Sequence, residues 1–104
     1  MPPFYNQKLP KISSSETKPL QVISKPKPNY TDAARQNRTE GIVRLRVVFT
    51  ASGRIGSVVP INDLPDGLTK QAIAAARQIK FEPVIRDGQP TTVVRIVEYN
   101  FAIY

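Results

Sequence analysis

From Ile42 to Ala51 apolar and charged residues alternate: Val43, Leu45, Val47 and Phe49 share one parity, Arg44 and Arg46 the other. Successive side chains of a strand take opposite faces. A period of two therefore makes this a half-buried antiparallel strand, with one face on a core and one in water. Ala51-Ser52-Gly53-Arg54 follows as a hairpin turn, with Gly53 where positive φ is needed. Ile55 to Ile61 returns. Gly56 reads as a bulge and Pro60 as an edge or an end, because proline cannot donate to a ladder. A chain of 104 residues has room for one domain built around this hairpin.

The flanks supply the remaining elements. Leu20 to Ser24 reads as a short strand, and Pro26 and Pro28 then impose extended backbone on what precedes each of them. Tyr30-Thr31-Asp32 opens a helix with Thr31 or Asp32 as N-cap, running to about Asn37. Leu64-Pro65-Asp66-Gly67 ends the hairpin and starts a second helix, with Asp66 as its expected N-cap. Leu68, Ala72, Ala75, Ala76 and Ile79 form that helix's buried stripe, while Lys70, Gln71, Arg77 and Gln78 face water. Phe81-Glu82-Pro83 stops the helix, and Phe81 is expected to enter the core. Val84 to Asp87 could add a short strand, and Asp87-Gly88-Gln89-Pro90 is a turn. Thr91 to Tyr104 reads as one long final strand with apolar residues on both faces near its start, so part of it is expected to be covered twice. The expected fold is α+β, in the order β-α-β-β-α-β, with two helices on one face of a three- to four-stranded antiparallel sheet. The expected core joins Leu45, Val47, Phe49, Leu68, Ile73 or Ala76, Phe81 and Phe101. Residues 1–19 are expected to be a flexible Pro/Lys-rich linker and residues 20–104 the folded domain.

Charge divides along the same line. The net +7 splits into +4 over residues 1–28 (five Lys against Glu16) and +3 over residues 29–104 (ten Arg or Lys against seven acids). Six of the ten prolines also lie in residues 1–28. A stretch of proline and lysine without apolar periodicity reads as an extended, solvated linker, not as a nucleic-acid arm. No run approaches the ~20 apolar residues of a membrane span. Pro2, Pro3 and Asn6 interrupt any signal-peptide pattern near Met1, so the residues taken alone read as a soluble chain.

Catalysis has little to stand on. The chain has no His and no Cys, which removes the usual general base, the thiol nucleophile and the common soft metal ligands. The eight acids fall almost entirely at caps and turns, Asp63 and Asp66 included. Ser13-Ser14-Ser15 has no base near it. Ser52-Gly53-Arg54-Ile55-Gly56 joins two strands and not a strand to a helix, so it fails as a phosphate loop. No enzyme, cofactor or metal is expected. Arg44, Arg46 and Arg54 could meet phosphates, but a nucleic-acid sheet interleaves aromatics with its basic residues. Here Phe49, Tyr99 and Phe101 share the apolar parity and belong to the core.

The spaced set Pro26-Lys27-Pro28-Asn29-Tyr30, Ala33-Ala34-Arg35, Gly41 to Val47, Ser52-Gly53-Arg54-Ile55, Leu68 with Ala72, Ala75-Ala76-Arg77, Phe81-Glu82-Pro83, Gly88 and Tyr99-Asn100-Phe101 resembles the C-terminal domain of the TonB family. These are energy transducers that reach from the inner membrane to outer-membrane transporters. The resemblance covers roughly residues 20–104. It implies a periplasmic domain whose last strand receives the extended N-terminal segment of an outer-membrane transporter by strand addition. It also implies a proton-driven inner-membrane motor as second partner, coupled through a membrane anchor upstream of this chain. Carried over, the partner-binding residues are Pro26, Pro28, Asn29 and Tyr30 in the proline-rich lead-in, and Val94, Arg95, Ile96, Val97, Glu98 and Asn100 in the final strand. Lys25 and Thr31 stand where many members have Gln and Pro. Tyr30 also reads as a core aromatic anchoring the first helix. A sheet edge of this kind would let two copies pair. An interaction domain of a signalling or cell-envelope assembly, and a basic nucleic-acid or anionic-surface binder, are the alternative readings.

Overall fold

The computed structural model describes residues 16–103; of the linker expected over residues 1–19, residues 1–15 lie outside them. The elements run β1 (Gln21–Ser24), α1 (Asp32–Asn37), β2 (Gly41–Phe49), β3 (Ile55–Pro60), α2 (Leu68–Ala76), β4 (Lys80–Glu82), β5 (Val84–Arg86), β6 (Gln89–Thr91) and β7 (Val93–Phe101). The class is α+β, with antiparallel strands in small sheets. β2 is central in a three-stranded sheet ordered β3-β2-β7.

The alternation of β2 places Val43, Leu45, Val47 and Phe49 in the core, each at most 1 % exposed. They meet Val58 of β3, Val93, Tyr99 and Phe101 of β7, Ala34 of α1 and the α2 stripe of Leu68, Ala72, Ala75 and Ala76. Small alanines bring the α2 backbone close to this layer. Between the two expected alternatives Ile73 and Ala76, it is Ala76 that is fully buried, and Ile73 is half-buried against the cluster. Phe81 packs edge-on against Phe49, ring centroids 5.0 Å apart.

Local chemistry explains the joints. Gly53 turns the β2–β3 hairpin at φ 88°. The β2–β3 register shifts between Val47↔Val58 and Phe49↔Ile55, a bulge that holds Gly56. A Cβ on Gly56 would lie 3.1 Å from Thr50 Cγ2 and 3.2 Å from Val48 Cβ, so only glycine fits without displacing them. Thr31 is the N-cap of α1, its Oγ1 accepting from the Ala34 N–H at 3.0 Å.

Several expectations are corrected. Asp66 does not cap α2, whose N-cap is Gly67 with no side-chain hydrogen bond. The Asp66 carboxylate instead accepts from Asn37 Nδ2 and Thr39 Oγ1, tying the end of α1 to the approach of α2. The first strand does not join the main sheet. β1 pairs with β4, and β5 pairs with β6 across the two-residue turn Asp87–Gly88. Pro90, read as part of that turn, sits in β6 opposite Ile85. The final strand is broken at Thr92, whose Oγ1 accepts from the Ala51 N–H at 2.9 Å and pins the β2–β3 turn. Its start is not covered twice: Val94 and Ile96 are about half exposed, at 48 % and 51 %. Glu16 and Lys18, within the stretch expected to be linker, bond to the β5–β6 hairpin, with Lys18 and Ile85 exchanging both main-chain bonds. No helix among the described residues is long and apolar enough to cross a membrane.

Candidate functional site

The edge strand β7 is the candidate site, and main-chain direction defines it. Ile61 N–H donates to Arg44 O at 2.8 Å, and Asn62 Oδ1 accepts from the Arg44 N–H at 2.7 Å. A strand residue turns its N–H and C=O to the same side, so even-numbered residues of β2 address β3 and odd-numbered ones address β7. The β2–β7 register is continuous from Gly41↔Phe101 to Phe49↔Val93. Val93, Arg95, Val97, Tyr99 and Phe101 therefore bond inward to β2. Val94, Ile96, Glu98 and Asn100 turn their main-chain groups away from the sheet, where no strand among the described residues pairs with them.

Two grooves flank this edge. One, of about 460 Å³, lies between the Lys25–Tyr30 lead-in and the far end of β7, and is lined by Lys25, Pro26, Pro28, Tyr30, Glu98 and Asn100 among others. The other, of about 440 Å³, lies between β1 and the near end of β7, with Leu20, Val22, Arg95, Ile96, Val97 and Glu98 on its walls. Lys25 and Glu98 belong to both. Lys25 Nζ donates to Glu98 O at 2.9 Å and stands 4.8 Å from the centre of the Tyr99 ring. Arg95 Nη1 donates to Val94 O at 3.0 Å. Glu98's carboxylate is taken by Arg44 Nε at 2.7 Å across the exposed face.

Of the residues expected to bind a partner, Pro26, Pro28, Tyr30, Glu98 and Asn100 come together at the far groove, and Arg95, Ile96 and Val97 at the near one. Asn29 does not join them; it lines a cleft against Gln71, Ala74, Ala75 and Gln78 of the second helix and its end. Val94 lines neither groove, although its carbonyl faces the edge. Tyr30 is half-buried, donates through its hydroxyl to Thr39 O and packs edge-on against Phe101 at 5.7 Å, so it anchors α1 as well as lining the groove. Burial pushes its phenol pKa up, Glu40 adds to that, and Arg35 opposes it.

Lys25 and Tyr99 are the participants that the sequence reading left out of the site. Tyr99 is 4 % exposed, lines the far groove, and its hydroxyl has no hydrogen-bond partner among the described residues. Desolvation pushes its pKa up to about 12. Its core parity hid it, since a buried aromatic on a strand ordinarily means packing. Lys25 carried one signal, a long cation beside a proline that fixes its backbone, but its acceptor lies 73 positions away.

Among curated proteins none matches the chain. The family model for the Gram-negative bacterial TonB protein C-terminal does match, over residues 26–103, which takes in the lead-in from Pro26 on, the three-stranded sheet, both helices and the whole of β7. That family consists of non-enzymatic transducer and interaction domains, in keeping with a site built from main-chain groups and not from reactive side chains. The chain belongs to the TonB C-terminal family.

Proposed function

We propose that this is a periplasmic coupling domain: it captures the extended N-terminal segment of an outer-membrane transporter as an added strand on β7 and passes on a pull generated by a proton-driven motor at the inner membrane. The observation that carries the reading is the nine-residue β7, paired among the described residues on one side only and bordered along its other side by two grooves. Main-chain bonds to Val94, Ile96, Glu98 and Asn100 give affinity, and the grooves receive alternate side chains of the guest. Pro26, Pro28 and Tyr30 form the far wall. Each added bond contributes only about 0.5–1.5 kcal/mol net, but bonds perpendicular to a strand share a load applied along it. Such a complex holds under tension and still releases between cycles.

The phosphate-binding alternative is weakened because the Arg44 guanidinium is already engaged by Glu98. Titration of the isotope-labelled chain with a peptide from a transporter N-terminus tests the reading. Amide shifts are expected to cluster on residues 94–101 and 25–30. Shifts confined to Arg44, Arg46 and Arg54 would reject it.

A further inference from the structure

The free edge of β7 is not bare. Of its outward carbonyls, Glu98 O is held by the Lys25 ammonium at 2.9 Å and Val94 O by the Arg95 guanidinium at 3.0 Å. Lys25 and Glu98 line both grooves, so the bond between them stands between the two. Any strand that pairs with β7 must take both carbonyls with its own N–H groups and push both cations aside. A displaced ammonium needs a new acceptor, and the Glu98 carboxylate is already engaged by Arg44 Nε at 2.7 Å. The Tyr99 ring keeps Lys25 beside the grooves after release, since the ring face attracts a cation at the 4.8 Å seen here.

From this arrangement, and resting on strand addition at β7, we infer that Lys25 and Arg95 are displaceable caps that select a partner segment carrying acidic side chains. One carboxylate of the guest takes the ammonium released from Glu98 O, and a second takes the guanidinium released from Val94 O. Val94 and Glu98 are four positions apart on the strand, roughly 13 Å at the usual rise, so the two acids are similarly spaced along the guest. Without a partner the same caps block edge-to-edge pairing, the familiar use of cationic side chains on a free strand.

The test uses the full chain and synthetic heptapeptides of alternating Thr and Val, blocked at both ends. A single Glu is moved through every position, and each peptide has a Gln twin. Calorimetric titration is expected to give the Glu peptide an advantage of about three- to fivefold, the scale of a partly exposed ion pair, at one or two positions only. Lys25→Gln should erase the advantage at one of those positions and Lys25→Arg should keep it. Arg95→Gln should erase it at the other. Arg46→Gln, which removes the same charge from the exposed sheet face, should change neither. An advantage that is equal at every position and survives in Lys25→Gln and Arg95→Gln would reduce the effect to overall charge and overturn the inference, while amide shifts on residues 94–100 would leave strand addition standing. Absence of binding by every peptide, or binding with no shifts on β7, would overturn strand addition and the inference with it.

Discussion

The three-stranded sheet has two edges, and they are built oppositely. β3 spans six residues, carries a register-shifting bulge at Gly56 and ends in Pro60. Because Ile61 bonds inward to Arg44, Pro60 faces outward, so the donor that proline lacks is one the outer edge would otherwise offer. β7 spans nine residues without a proline and without a register shift. A short, kinked, donor-poor edge resists pairing, and a long regular one invites it. The protection on β7 consists of two side chains that can swing away, whereas that on β3 is covalent. The contrast supports the proposal that β7 is the edge a partner strand takes.

The sharpest way to break this comparison is to exchange proline between donor directions. Val97→Pro removes an inward bond to Leu45 in the middle of the ladder and should abolish cooperative thermal unfolding. Ile96→Pro and Glu98→Pro each remove an outward donor and should leave a folded domain with peptide affinity reduced about tenfold, one hydrogen bond's worth. Circular dichroism melts and peptide titration of the three variants check it; equal damage from Val97→Pro and Ile96→Pro would mean that the directions are assigned wrongly.

Beneath the near groove, Phe49 and Phe81 stack edge to face, and β7 rests on that packing. Phe81→Ala should cost about 3–5 kcal/mol in denaturant unfolding. A loss under ~1 kcal/mol would place Phe81 outside the core on the same scale.

Tyr99→Phe removes a buried hydroxyl that has no partner and should leave the domain as stable or up to about 1 kcal/mol more stable at neutral pH. The sign with pH follows from the raised pKa. The native phenol, pushed to about 12 from its ordinary 10.0, favours the protonated form, so its contribution is complete below pH 10.0 and is lost as pH rises toward 12. Alkaline titration of unfolding should show that loss in the parent and less of it in Tyr99→Phe.

The smallest effect belongs to the protected edge. Pro60→Ala restores one outward donor on β3, and stability should move by less than about 0.5 kcal/mol. Peptide-induced amide shifts should stay on β7, because the bulge still bends β3. Shifts appearing on residues 58–60 would show that proline alone guards that edge.

Much of this architecture is legible residue by residue. The β2 alternation, the Gly53 turn, the bulge at Gly56, the Thr31 cap and the α2 stripe all follow from side chains acting within a few positions of one another. Asp66 shows the limit. A carboxylate before a helix satisfies the capping pattern, yet Asn37 and Thr39, distant in sequence, offered it better donors. Val94 and Ile96 show another: apolar residues on both faces imply two covers, but no second layer exists among the described residues to cover the outer one.

By itself, the sequence determined which face of β2 enters the core, which residues of α2 are buried and where the β2–β3 hairpin turns, because periodicity and turn chemistry are local properties. Only the tertiary structure decided that β1 pairs with β4, that β7 lies at an edge and that its even-numbered residues point outward. It also brought Lys25 across 73 positions onto the Glu98 carbonyl. Side-chain parity assigns a face to every residue of a strand but names no neighbour. Neighbours are chosen by long-range pairing, and that choice puts β7 at an edge, with one side unpaired among the described residues.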